Sequence, residues 1–130
     1  MRGASALDQL LAAFPEDEIA VQVVWEPVLQ TDVAPPLSRV LALIDDRRVR
    51  QAWDPGRVLS ADLLRSVNAD PGRYGFEEAL PEDFVVWDVV AVFDRSARWD
   101  RDLPVPAYYD GPVLNVVEEA RRAVNSQLAR

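Results

Sequence analysis

Cysteine, histidine and lysine are all absent from this chain of 130 residues. Each absence closes a branch of chemistry. Without cysteine there is no thiol nucleophile, no disulfide exchange and no thiolate metal site. Without histidine the commonest general base and metal ligand is gone. Without lysine, Schiff-base catalysis is closed. Ser-His-Asp and Cys-His arrangements cannot form within one chain of this composition. Carboxylates, tyrosines, serines and arginines are what remain. Long hydrophobic runs are missing too, and none approaches the roughly 20 residues that cross a bilayer. The N-terminal stretch Met-Arg-Gly-Ala-Ser-Ala-Leu-Asp has one arginine and no uninterrupted apolar segment. No export signal is read there, so the expected location is cytoplasmic.

What is present is acidic and apolar in ordinary proportion. The 22 acids outnumber the 14 arginines and leave a net charge of −8. Such a surface repels phosphate backbones, and no basic stripe offsets it, so neither nucleic acid nor membrane is an expected partner. Arginine in place of every lysine is what a GC-rich genome favours. With 49% hydrophobic and 28% charged residues the composition is that of a globular domain. A chain of this length buries roughly two-thirds of its unfolded surface and needs no disulfide or metal to fold. One domain over residues 1–130 is expected.

Spacing then places the elements. Leu7, Leu10, Leu11 and Phe14 recur at helical intervals, which predicts a helix over Ala4 to Phe14 that Pro15 stops. Ile19 to Trp25 is apolar apart from Gln22 and rich in valine, as in a strand buried on both faces of a parallel sheet. A proline-bearing loop leads to a helix from Leu37 to Ile44, with Leu37, Val40, Leu41 and Ile44 on one face. Val49 to Trp53 is a second strand, and Ser60 caps a third helix running to Val67. Asn68 to Asp83 reads as irregular. Phe84 to Phe93 is predicted as a long strand, with Asp94-Arg95-Ser96 turning a hairpin into a return strand at Ala97 to Trp99. Asp100 to Pro112 is a proline-rich loop, and Leu114 to Leu128 a closing helix. Val23, Val24, Leu41, Val90 and Val92 are the expected core. Alternating β and α argues for parallel strands, and the hairpin for an antiparallel edge.

That order, with Val23-Val24-Trp25-Glu26-Pro27-Val28 at a strand-to-helix junction, resembles the thioredoxin family over residues 19 to 130. Trp25 takes the place of the family's tryptophan, and Glu26 and Leu29 stand where its two cysteines would be. The segments VVWEPVLQTD, RVRQAWD and WDVVAVFDRSARW together look like a group of bacterial thioredoxin-like proteins that lack the Cys-x-x-Cys motif. The resemblance implies a single thioredoxin-like domain, a three-layer α/β/α fold with a mixed sheet of four to five strands. It cannot imply the family's redox activity, because the sulfurs are gone. The family's cis-proline before the third core strand is also missing, since Val86-Trp87-Asp88 lies near that position.

Ligands in parallel sheets sit at the carboxyl ends of strands. Two strands here end in a tryptophan and an acid, Trp25-Glu26 and Trp53-Asp54. A third strand running antiparallel would bring Trp87-Asp88 to the same edge, with Asp32 on the adjacent loop. Those seven residues form the candidate binding rim, and Tyr108 and Tyr109 a candidate interaction loop. The same residues fit a plainer role, since strand-end tryptophans close cores and acids after strands cap turns and helices. Asp45-Asp46 and Glu77-Glu78 read as solvated turns, and no EF-hand spacing is present, so neither a metal nor a cofactor is expected. The expected function is a non-catalytic module that holds a protein partner, with homodimerisation left open. The alternative is an enzyme using Glu26, Asp54 and Asp88 as its carboxylates, with or without a divalent cation.

Overall fold

The computed structural model describes residues 2–16 and 18–130. Helix α1, Arg2–Ala12, buries Ala6, Leu10 and Leu11, a stripe at helical spacing, and Phe14 beyond its end extends that stripe. It lies against the last helix, α4, Val113–Leu128. Ala120 on α4 is fully buried, and its small side chain lets the two helices approach closely.

Strand β1, Val21–Trp25, pairs in parallel with β2, Val49–Trp53, in a register that sets Val21 against Val49 and Trp25 against Trp53. The short α2, Ser38–Leu41, lies in the crossover between them. Helix α3, Val58–Ala69, follows β2, and a single 3₁₀ turn, Pro71–Tyr74, follows α3. Strands β3, Val90–Val92, and β4, Tyr108–Asp110, form an antiparallel ribbon.

Two apolar clusters hold these elements. Leu10, Leu11, Phe14, Ile44 and Ala120 form the first, with Val21, Val23, Val49, Val90 and Tyr108 packed against it. Helices α1 and α4 therefore cover one face of both strand pairs. Leu63 and Val67 of α3, with Leu103, form the second cluster, joined by Tyr74, Phe84, Val86, Phe93 and Tyr109. Successive side chains of a strand point to opposite faces, so Tyr108 enters the first cluster and Tyr109 the second.

This architecture corrects the three-layer expectation. Among the described residues the strands form two separate two-stranded sheets, one parallel and one antiparallel, not a mixed sheet of four to five strands. Strand β1 is not buried on both faces. Its residues alternate between half-buried and exposed, as do those of β2, and Val24 on the outer face is 37% exposed. Val23, Leu41, Val90 and Val92 are half-buried, and the closed core is formed by helix residues together with Phe14, Ile44 and Leu103.

The long strand expected over Phe84 to Phe93 shrinks to three residues. The backbone N–H of Val86 donates to the Ser60 hydroxyl rather than to a neighbouring strand. Asp88 has φ 50°, a left-handed conformation that ends any extended run before β3 begins. The turn at Asp94 does form, with the N–H and hydroxyl of Ser96 both donating to the Asp94 carboxylate. The returning strand comes later, at Tyr108, and the Ala97 to Trp99 stretch is not a strand. The tyrosine pair therefore belongs to a strand and not to a loop.

Candidate functional site

Parallel pairing brings the two tryptophan-acid junctions side by side, as the register of Trp25 on Trp53 requires. The ladder extends one bond further, from Asp54 N–H to the Trp25 carbonyl at 2.8 Å. Glu26 and Asp54 then leave the strands together and meet the start of α3.

A helix start exposes N–H groups without partners, and a side chain at the N-cap usually satisfies one. Here the N-cap is Arg57, with φ 53° and no side-chain cap. The strand-end acids supply what is missing. Asp54 Oδ2 accepts from Leu59 N–H at 2.9 Å, and Glu26 Oε1 accepts from Ser60 N–H at 3.0 Å. Glu26 Oε2 also accepts from the Ser60 hydroxyl. The positive end of the helix dipole favours both charges. Burial pushes the Asp54 carboxyl up, but N–H donors from Leu59, Val58 and Gly56 outweigh it and hold Asp54 below the usual carboxylate range.

Other members of the rim are engaged as well. The Trp25 indole donates to Gln51 Oε1 at 3.0 Å, and Gln51 Nε2 donates to the Leu41 carbonyl at 2.9 Å, which ties β1 to the end of α2. Arg57 Nε donates to the Pro27 carbonyl at 2.7 Å. Asp32 closes its own loop, accepting from Val28 and Leu29 N–H at 3.0 and 2.8 Å.

Asp88 goes elsewhere. Its Oδ1 and its carbonyl share the N–H of Val113, the first residue of α4, at 3.3 and 3.1 Å. A Cβ on Gly3 would lie 2.6 Å from that Oδ1, so the start of α1 passes close to this carboxylate. No hydrogen bond or ion pair among the described residues joins Asp88 to Glu26. Trp25, Glu26, Trp53 and Asp54 lie together at the strand ends, Asp32 closes its own loop, and Asp88 accepts from the start of α4.

Trp87 faces outward and is 71% exposed. It lines an open groove of about 410 Å³ with Asp88, Val89, Tyr109, Asp110, Gly111 and Pro112. Asp110 Oδ1 accepts from Gly111 N–H at 2.8 Å. Burial and the Asp110 charge push the Tyr109 hydroxyl above its ordinary value. Sequence reasoning placed Trp87 on the candidate rim and the stretch holding Tyr109, Asp110 and Pro112 in a separate candidate loop, whereas both line one groove.

A second concavity, of about 360 Å³, is polar and lies between α1 and the start of β2. Arg48 organises it. Its guanidinium donates to the Leu11 carbonyl at 3.0 Å, to the Phe14 carbonyl and to both oxygens of Asp46. A cation at the end of α1 satisfies carbonyls that the helix leaves open. Among the described residues there is no group of three or more acids placed to hold a metal ion, and no helix is long and apolar enough to cross a membrane.

No family model, no curated protein and no solved structure matches this chain.

Proposed function

We propose that this protein is a non-catalytic binding module that holds a protein partner in the Trp87 groove. The observation that carries the reading is the Trp87 indole, left 71% exposed on the wall of an open, mostly apolar groove. A free tryptophan beside a tyrosine and a proline is the residue type that dominates binding energy at protein interfaces. The carboxylates of the alternative, enzymatic reading have other work. Glu26 and Asp54 accept from the first N–H groups of α3, and Asp88 from that of α4.

The test is photo-cross-linking in cells that make the protein. With p-benzoylphenylalanine in place of Trp87, illumination is expected to give discrete protein adducts, and the same label at Ala69 is expected to give none. Equal labelling from both positions, or no adduct from Trp87, contradicts the proposal.

A further inference from the structure

The Trp87 groove carries charge as well as apolar surface, and its charge is of one sign. Asp88 and Asp110 stand among its lining residues, and no arginine or lysine does. Neither acid takes part in any ion pair of the described residues. Each uses one oxygen on a backbone N–H, Asp88 on Val113 and Asp110 on Gly111. The second oxygen of each has no partner among the described residues. The two carboxylates are therefore held in place by the chain and left with acceptor capacity facing solvent. Around them stand Trp87, whose ring face attracts cations, and Pro112 and Val89, which are apolar. The whole chain, at −8, adds a field of the same sign.

We infer that the groove takes an arginine side chain from an extended segment of the partner protein, its guanidinium held by Asp88 and Asp110 and its plane laid on the Trp87 indole. Arginine fits better than lysine. A guanidinium is planar, stacks on aromatic faces and donates several N–H groups at once, whereas an ammonium is a compact and strongly hydrated point charge. Two carboxylates fixed by backbone donors suit the fork of donors that arginine presents. The inference rests on the binding reading above and names the chemistry of the partner's anchor.

The probe is a set of three acetylated, amidated pentapeptides, Gly-Ser-X-Ser-Gly, with X as arginine, citrulline or norleucine. Binding to the 130-residue chain is followed by ¹H–¹⁵N correlation spectra, read at the Trp87 indole N–H and the Gly111 amide. The arginine peptide is expected to shift both signals saturably and to bind about ten-fold tighter than the other two, the margin of a charge-assisted over a neutral hydrogen bond. Asp110→Asn keeps the acceptor for Gly111 N–H and removes the charge, and it is expected to weaken the arginine peptide and leave the norleucine peptide unchanged. Added salt is expected to weaken only the arginine peptide. Equal binding of arginine and citrulline peptides overturns the inference while the groove remains a binding site. No shift at Trp87 with any peptide overturns both.

Discussion

Arg48 and Asp46 set the behaviour of one corner of the protein with acid. Hydrogen bonds from the Arg48 side chain, then from its backbone N–H, hold the Asp46 carboxyl at about 2, below its ordinary 3.8. A carboxyl whose value is lower in the folded state binds its proton more readily when unfolded. The pair therefore contributes stability that is present above about pH 4 and lost as the pH falls through about 2. Asp54 and Asp94 are lowered as well, so the contribution of Asp46 is read as a difference. Urea unfolding of the parent and of Asp46→Asn from pH 6 downwards is expected to show a gap that is constant above about pH 5 and closes towards about pH 2. A gap independent of pH contradicts the pairing.

At the scale of elements, Ser60 joins three parts of the chain. Its N–H and hydroxyl donate to Glu26 at the end of β1, and its Oγ accepts from Val86 N–H at 2.9 Å. Ser60 itself is buried near the start of α3. Ser60→Ala strands a backbone donor and one carboxylate oxygen, at an expected cost of about 1–3 kcal/mol in urea unfolding. A loss below about 0.5 kcal/mol, the level of an ordinary surface change, contradicts the role given to this residue. The elements differ in how far the sequence announced them. Val49 to Trp53 and the closing helix are read nearly to the residue, because alternation and helical spacing are local signals. Phe84 to Val89 has the same strand-like composition and is not a strand. Its Val86 N–H is drawn to a hydroxyl 26 residues away, and strand propensity yields readily to such context. Helix α3 hides its caps in the same way. Ser60 is placed among its first residues but donates rather than caps, and the acceptor Glu26 is 34 residues distant.

At the scale of the whole molecule, the strand-to-helix junctions have an architectural task. Trp25-Glu26 and Trp53-Asp54 end paired strands and fasten α3 to them, which is the plainer of the two roles their residue types suggest. The pairing of those two tryptophans was legible from the parallel arrangement that alternating elements require. The exposure of Trp87 was not, because the stretch before β3 departs from a strand and Asp88 beside Trp87 is left-handed. The number of strands in a sheet is also a long-range property. With α1 and α4 covering one face, the outer face of β1 and β2 stays open.

The claim on which the account turns is that Trp87 is a binding surface and not part of the core. Urea unfolding of Trp87→Ala measures it directly. An indole 71% exposed contributes little to folding, so the variant is expected to keep the parent's stability within about 0.5 kcal/mol. A loss of about 3–5 kcal/mol, the cost of truncating a buried tryptophan, would contradict the account.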